Sequence, residues 1–345
     1  MKQPTGTRTF VLVLAAIGLG CSPAPAPKAS DVCGADGPDG GTPASFSWTK
    51  GQDCPLARFE ASGAVVGGEL WVMGGFTSAR LDVTRMVDIY APATDAWRPG
   101  PDLPGAETHM AVVAVGDDVI VAGGFPGAFA PMPFPTAAVW RYDAVTSTWR
   151  PGPDLPVAGA AFAWALVGSA MHLAGGLYYD GRVDAEAHHV WDVAGAASWT
   201  VAAPIPDPRN HGGGAAAGGL FYAIAGRHRW DEVAGDVPDV DVFDPATGVW
   251  TARAPLPSPR SEIGASTSAL SDGRILVVGG SLPGIVPSAA AFIYDPSANT
   301  WSALPCLPEP RKGAVAFQVG DRIIVTTGSP TSTDPSPSTF VGCCL

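Results

Sequence analysis

Charged and imidazole side chains recur at two fixed distances after six regularly spaced tryptophans. The tryptophans lie 49 to 52 residues apart, at Trp48, Trp97, Trp149, Trp199, Trp250 and Trp301. The tenth residues after them are Arg58, Glu107, Gly159, Arg209, Arg260 and Arg311. The twelfth residues are Glu60, His109, Ala161, His211, Glu262 and Gly313. Arginine binds anions through paired hydrogen bonds, and a Glu/His pair can transfer protons. The charged and imidazole members are therefore the candidate ligand-binding residues.

These two sets predict a polar ring. If the segment is a strand, positions ten and twelve share one side, because side chains alternate with a period of two. One interpretation is a structural network of ion pairs, and the other is a pocket for an anionic or sugar-like ligand. Glu60, His109, His211 and Glu262 also have the donor types of a divalent metal site. Because no local ligand-spacing motif accompanies them, we expect no metal, and we expect no cofactor.

Aromatic residues in three long connections form a second candidate binding surface. They are Phe129, Tyr179 and Trp230, each a little after an apolar run that ends in glycine. Such loops either bind a protein or carbohydrate partner or cover the edge of a neighbouring sheet. His188 and His189 are better explained as a pair within a strand than as a metal site.

The tryptophan spacing belongs to a longer repeat that must position these residues. Between the tryptophans lie the apolar runs WVMGG (71–75), VIVAGG (119–124), MHLAGG (171–176), FYAIAG (221–226), ILVVGG (275–280) and IIVTTG (323–328). Each period holds four short strand-like runs, A to D, bounded by turn residues. The pattern resembles kelch repeats, which implies an all-β, six-bladed β-propeller with four antiparallel strands per blade. The sixth run has no tryptophan after it, so the segment around 46–48 should pair with the C-terminal run STFVGCC and close the ring.

The resemblance also suggests where ligands bind. In this topology the D-to-A connections and the B-to-C loops share one face, and strand A lines the central channel. We expect a protein- or carbohydrate-binding module that uses this face. The alternative is a sugar mutarotase or epimerase similar to the exported sialic-acid mutarotase, with Arg58, Glu60, His211, Arg260 and Glu262 at the channel mouth. The chain lacks the common catalytic motifs, which favours the binding module over an enzyme.

Composition excludes several classes of protein. The 345 residues include 43 Gly and 35 Pro, but 46 % are hydrophobic and 11 are Trp, so the chain can bury a large core. The formal net charge is −12 and there is no basic run, which argues against nucleic-acid binding. No apolar stretch reaches the roughly 20 residues that a membrane-spanning helix needs.

The first residues predict export. Lys2 and Arg8 precede a ten-residue apolar run that ends near Cys21. This arrangement resembles a bacterial lipoprotein signal over residues 1–21, with Cys21 as the lipidated residue. Gly18 departs from the usual leucine, which leaves ordinary secretion open. The composition of residues 22–44 predicts a disordered Pro/Ala/Gly tether, and the propeller is expected to follow at 45–345. We expect an outer-membrane or cell-surface lipoprotein, otherwise a periplasmic or secreted protein, with membrane contact only through the lipid.

The remaining cysteines are candidates for disulfides, because an exported protein permits them. Cys54 and Cys306 occupy near-equivalent connections of adjacent repeats. They either form a bridge across the closure of the ring or remain unpaired in the core. Cys33 is a candidate partner for Cys343 or Cys344. These cysteines number five, which is odd. Either one thiol therefore stays free or the vicinal pair Cys343 and Cys344 forms its own bridge, and the connectivity does not follow from the sequence.

Overall fold

The structure, a computed structural model, describes residues 46–127, 134–178, 183–229 and 235–343. The N-terminal strand is β1 (Ser47–Lys50). The first repeat contains β2 (Ser62–Val66), β3 (Glu69–Met73), β4 (Val87–Ala91) and β5 (Ala96–Pro99). The second contains β6 (Glu107–Thr108), β7 (Ala111–Val115), β8 (Asp118–Ala122), β9 (Phe125–Pro126), β10 (Val139–Asp143) and β11 (Thr148–Pro151).

The other four repeats follow the same plan. The third contains β12 (Gly159–Ala160), β13 (Ala163–Val167), β14 (Ala170–Ala174), β15 (Leu177–Tyr178), β16 (Val183–Asp184), β17 (His188–Asp192) and β18 (Thr200–Ala202). The fourth contains β19 (Gly213–Ala217), β20 (Leu220–Arg227), β21 (Asp236–Asp244) and β22 (Val249–Arg253). The fifth has a 3-10 turn (Gly264–Ser266), then β23 (Thr267–Ala269), β24 (Ile275–Val278), β25 (Ser281–Leu282), β26 (Val286–Pro287), β27 (Ala291–Asp295) and β28 (Thr300–Leu304). The sixth contains β29 (Val315–Val319), β30 (Arg322–Thr326) and β31 (Thr339–Cys343).

In the described part of the chain these strands form six four-stranded antiparallel sheets. Sheets one to five are β2-β3-β4-β5, β7-β8-β10-β11, β13-β14-β17-β18, β19-β20-β21-β22 and β23-β24-β27-β28, and sheet six is β29-β30-β31-β1. The first strands of consecutive sheets contact one another, and β29 of sheet six contacts β2 of sheet one. Short strands such as β6 and β9 pair outside the six sheets. This arrangement confirms the predicted all-β propeller architecture of four-stranded antiparallel sheets.

The first strand of the described chain joins the last. β1 pairs with β31 in the register Ser47 with Cys343 and Lys50 with Phe340. Phe46 and Trp48 form an edge-to-face aromatic pair with ring centroids 5.1 Å apart. Sheet six is thus assembled from both ends of the described chain.

The repeated tryptophans connect neighbouring sheets through hydrogen bonds. Each indole N–H donates to a main-chain carbonyl four residues after the preceding tryptophan. The pairs are Trp97 with Gln52, Trp149 with Pro101, Trp199 with Pro153, Trp250 with Ala203, Trp301 with Ala254 and Trp48 with Pro305. Five of the rings also pack on a cross-strand aromatic, as Trp97 does on Tyr90 at 5.0 Å, whereas Trp48 lies opposite Gly342 and packs on Phe46. The six tryptophans are therefore structural.

The glycine pairs after the second strands make a close approach between sheets. Gly74 and Gly75 both have positive φ, of 62° and 94°. A Cβ on Gly74 would lie 2.2 Å from the carbonyl oxygen of Glu107 in the next repeat. The Gly75 N–H donates to that same oxygen at 2.9 Å. Glycine adopts these φ angles without strain, which explains the pair in four of the six repeats. In the other two, Ala225 and Thr327 take the first position with φ of 52° and 60°.

The proposed bridge between Cys54 and Cys306 is not formed. Cys306 is disulfide-bonded, whereas Cys54 and Cys343 are free thiols. Cys54 is buried, so it is one of the unpaired core cysteines that the sequence left as an alternative. Cys21, Cys33 and Cys344 lie outside the described residues, as do the signal and tether segments. Among the described residues, no helix is long and apolar enough to cross a membrane.

Candidate functional site

The arginines ten residues after the tryptophans are buried inside the sheets. Arg58 is fully buried, contacts the Asp88 carboxylate of β4 and donates to the Met86 carbonyl at 2.9 Å. Arg209 donates to Asp241 at 2.7 Å and to the Ala225 carbonyl at 2.8 Å. These contacts correspond to the structural interpretation of the arginine positions.

The other two arginines are held in the same way. Arg260 donates to the Gly279 carbonyl at 2.7 Å, and its guanidinium lies 5.2 Å from the centre of the Phe292 ring. Arg311 donates to Glu309 at 2.6 Å and lies 5.4 Å from the centre of the Phe340 ring. All four arginines therefore agree with the structural alternative, and none of them lines the cavities at the channel.

The backbone conformation explains why the two sets separate. All six residues at position twelve have left-handed φ angles between 51° and 58°: Glu60, His109, Ala161, His211, Glu262 and Gly313. The first strands begin only two or more residues later, as at Ser62 in sheet one. Alternation with a period of two does not apply across a left-handed residue. Position ten consequently points into the sheets, whereas position twelve faces the channel.

Main-chain hydrogen bonds hold the six left-handed residues around the channel. The N–H of Glu60 donates to Gly313 at 2.8 Å, that of His211 to Ala161 at 3.0 Å, and that of Gly313 to Glu262 at 3.0 Å. The N–H of Ala161 donates to the His109 carbonyl at 2.9 Å. These bonds link successive sheets, so the side chains stand on a fixed backbone ring.

Four polar side chains of that ring meet in the channel, and we call Glu60, His109, His211 and Glu262 the axial quartet. One potential ligand atom from each lies within 4.8 Å of the others. Glu60 contacts His109 Nε2, and the His109 and His211 rings meet edge to face at 4.9 Å. Small residues, Ala161 and Gly313, stand at the two remaining positions of the ring. The structure thus brings together the four residues that the sequence identified as metal-type donors.

Two cationic side chains, which the sequence did not indicate, border the axial quartet. Lys312 Nζ lies 3.6 Å from Glu60 Oε1. Arg227 Nη2 donates to Glu262 Oε1 at 2.5 Å. Each residue is buried, and neither position is cationic in the other repeats, so no periodic signal marks them. They fix one oxygen of each quartet carboxylate.

Burial and these neighbours set the protonation of the quartet. Burial raises the pKa of Glu60, and the nearby Glu262 carboxylate adds to the effect. Burial also disfavours the Glu262 carboxylate, but Lys312 and Arg227 outweigh it and hold its pKa well below the usual range. Burial holds the pKa of His211 well below its ordinary value. At neutral pH the quartet therefore contains an ionised Glu262 and a neutral His211.

Each quartet histidine is oriented by the residue before it. Thr108 Oγ1 lies 3.1 Å from His109 Nδ1, and His211 Nδ1 contacts the side-chain oxygen of Asn210. Asn210 in turn donates to Asp184 Oδ1 at 2.5 Å. Hydrogen bonds at Nδ1 fix the ring orientation, as they do for histidines that act through Nε2.

The axial quartet separates two cavities along the channel. Outside it lies a recess of about 150 Å³, with Leu81, Ile285 and Lys312 in its wall. Inside it lies a cavity of about 40 Å³, which ends at Trp164 and Gly264. A wider channel of about 290 Å³, lined by the first strands, follows beyond Trp164. All four quartet residues line both the recess and the small cavity, so they form the floor of the recess.

The remaining sequence candidates lie elsewhere. Glu107 is buried apart from the axial quartet, and burial raises its pKa to about 7. His188 and His189 belong to β17, as expected for a strand pair. Phe129, Tyr179 and Trp230 fall outside the described residues. Among the described residues next to these positions, Phe134 is 71 % exposed and Val183 is 48 % exposed.

Comparison with known proteins identifies the repeat. A family model described as the Kelch motif matches residues 57–104, 108–156 and 265–308. The Kelch-like protein terF of Aspergillus terreus is 30 % identical over 184 residues, which is 48 % of this chain and 39 % of that protein. An F-box/kelch-repeat protein of Arabidopsis thaliana is 30 % identical over 56 % of this chain and 46 % of its own. Kelch-like protein 36 of Mus musculus is 28 % identical over 52 % of this chain and 29 % of its own. The matched region spans less than half the length of each relative.

Proposed function

The chain is a kelch-repeat protein, and on that premise we propose that it is an exported binding module for a protein partner. Kelch repeats are typically protein-interaction modules. The proposed binding surface is the loop face, defined as the B-to-C loops together with the connections between sheets. Both segments lie together, since Arg58 in a connection bonds to Met86 at the end of a B-to-C loop.

Exposed apolar side chains on the loop face carry this proposal. Phe134 lies in the B-to-C segment of sheet two, Val183 lies in that of sheet three, and Met86 ends that of sheet one. All three hydrophobic side chains are exposed to solvent. Exposed aromatic and methionine side chains are enriched where proteins bind one another.

Site-specific photocrosslinking tests the loop face. A photoreactive phenylalanine analogue replaces Phe134 in one variant and Val145, in the C-to-D turn of the same sheet, in the control. We expect a discrete protein adduct from position 134 that is weakened by Val183→Ser and absent from position 145. Equal labelling from both positions, or a glycan adduct instead of a protein, would contradict a protein-binding loop face.

Export and lipidation at Cys21 form part of the proposal. The support is the apolar run before Cys21 and the Pro/Ala/Gly-rich stretch after it. Metabolic labelling with a lipid precursor should mark the wild-type chain but not the Cys21→Ser variant. A chain that remains in the cytoplasmic fraction without lipid would argue against this localisation.

A sugar mutarotase is the second candidate. It draws support from the contact between Glu60 and His109, an acid–base pair on the floor of the recess. Arg58 and Arg260 cannot bind the sugar as the resemblance implied, because both are engaged inside sheets. Anomer exchange measured by NMR, with sialic acid and a panel of hexoses, tests this activity. Rates equal to those in buffer would exclude it for those sugars.

A further inference from the structure

We propose that the axial quartet binds one divalent transition-metal ion, with zinc as the reference ion. The four donors come from sheets one, two, four and five, which explains why no ligand-spacing motif appears in the sequence. Two imidazole nitrogens and two carboxylate oxygens form a donor set that suits Zn²⁺, Mn²⁺ or Fe²⁺ better than the all-oxygen ions Ca²⁺ and Mg²⁺. This proposal does not depend on the proposed partner at the loop face.

The spacing of the donors fits a single ion. The four ligand atoms lie within 4.8 Å of one another. Bonds of about 2.1 Å place the ligands of a tetrahedral ion about 3.4 Å apart. Small side-chain rotations therefore close the site, while the left-handed backbone ring stays in place. Ala161 and Gly313 leave room at the two ring positions that carry no donor.

An unsatisfied atom points independently to a ligand at this place. Glu262 Oε1 accepts the hydrogen bond of Arg227, whereas Oε2 is buried and receives no hydrogen bond from an N–H or hydroxyl group of the described residues. The Glu60 carboxyl lies close enough to share a proton with Glu262, and a metal ion would replace that proton. Glu262 is only 7 % exposed. A buried carboxylate oxygen without a partner is costly, and coordination to a cation removes that cost.

The outer contacts resemble those that support metal ligands. Thr108 and Asn210 hold Nδ1 of the two histidines, so the proposal assigns Nε2 of each ring to the ion. Arg227 and Lys312 border the second oxygens of the carboxylates. Metal-binding histidines and carboxylates commonly have such hydrogen-bonded neighbours. The recess outside the quartet is lined by all four of its residues, so their ligand atoms border a space that an ion can enter.

Metal titration of the full chain tests the proposal. The purified protein is stripped with a chelator, and Zn²⁺ or Co²⁺ is then added in a calorimeter and a spectrophotometer. We expect one equivalent to bind, with a visible Co²⁺ spectrum of nitrogen and oxygen coordination. The double variant His109→Gln/His211→Gln and the single variant Glu262→Gln should each bind at least about 100-fold more weakly. Asn210→Ala, which only positions His211, should weaken binding by about 10-fold.

Matched controls separate this site from other metal-binding groups. Glu107→Gln removes a buried carboxyl outside the quartet and should bind like the wild type. The histidine double variant keeps Cys54, Cys343 and the histidines of sheet three, so undiminished binding in that variant would overturn the proposal. A folded wild-type protein, verified by circular dichroism, that binds neither ion would overturn it as well. Should the double variant fail to fold, Glu262→Gln and Asn210→Ala decide the question.

Discussion

Buried arginine side chains act in this protein as cross-links within sheets. The guanidinium of Arg58 has no exposed surface, and it joins the connection before sheet one to Asp88 on β4. It also donates to the Met86 carbonyl. Removing one member of a buried ion pair leaves the other as an unpaired charge, which costs more than the pair itself contributes.

The substitution Arg58→Met should therefore lower the free energy of unfolding by about 3–5 kcal/mol. The double variant Arg58→Met/Asp88→Leu should recover part of that loss, because no buried charge remains. Urea unfolding measures all three proteins. The control is Arg98→Met, which breaks the exposed contact with Glu69 and should cost less than about 1 kcal/mol. Similar losses at Arg58 and Arg98 would contradict the structural assignment.

The residue-level predictions succeeded where the repeat gave a signal and failed where the backbone departed from it. Glu60, His109, His211 and Glu262 were grouped correctly by their distance from the tryptophans. The expectation that the arginines share a side with these four residues failed because nothing in Glu60 or His109 indicates a left-handed φ, a conformation that sequence normally signals with glycine. Lys312 and Arg227 were missed because each cation occurs in a single repeat.

At the level of elements, sheet three contains a buried histidine pair. His172 of β14 and His188 of β17 lie opposite the apolar side chains of sheet four, with Nδ1 of His172 2.8 Å from Nε2 of His188. His188 packs on Phe243, with ring centroids 4.5 Å apart. Burial lowers the pKa of His172 to about 4, and burial together with His172 lowers that of His188 to about 3.

These shifts predict an acid-sensitive contact between sheets three and four. Both pKa values are lower in the folded state than the value of about 6.5 in the unfolded chain, so only the unfolded chain gains protons as the pH falls below about 6.5. Each histidine should then cost about 1 kcal/mol per pH unit until the folded pKa is reached. Above about pH 7 the pair should contribute no pH dependence.

Unfolding measured at several pH values checks this prediction. The variant His172→Leu/His188→Leu should lose less stability than the wild type between about pH 7 and about pH 5, by roughly 2–4 kcal/mol. The control Val201→Leu, at an exposed position of β18 in the same sheet, changes no titratable group and should follow the wild type. Parallel pH profiles for the wild type and the double variant would show that the pair does not titrate as its burial requires.

The strands of the six four-stranded sheets were largely predictable from the sequence, whereas the two-residue strands were not. Apolar runs bounded by turns and glycine pairs identified the second strands, and the tryptophans identified the fourth. The short pairs such as β6 with β9 and β25 with β26 went unpredicted. Two-residue strands have too few side chains to show an alternating pattern, and they form because the adjacent connections already lie side by side.

At the level of the whole molecule, three kinds of repeated hydrogen bond join sheet six to sheet one. The Trp97 indole donates to the Gln52 carbonyl, and the Gly328 N–H donates to the Arg58 carbonyl at 2.8 Å. The Glu60 N–H donates to the Gly313 carbonyl, also at 2.8 Å. The junction between the first and last sheets therefore has the same bonds as the junctions inside the chain, and β1 supplies the outer strand of sheet six.

Removal of β1 should consequently destabilise the whole molecule. Two truncated proteins provide a matched comparison: one begins at residue 45, and the other begins at Gly51. The second lacks the ladder with β31, the buried Phe46 ring and the Trp48 bond to the Pro305 carbonyl. Loss of one buried aromatic side chain costs about 3–5 kcal/mol, so the melting temperature should fall by at least about 5 °C. Because the sheets support one another around the ring, we expect the entire unfolding transition to shift rather than a separate early phase to appear. Identical melting temperatures for the two proteins would mean that β1 contributes nothing to the closure of sheet six.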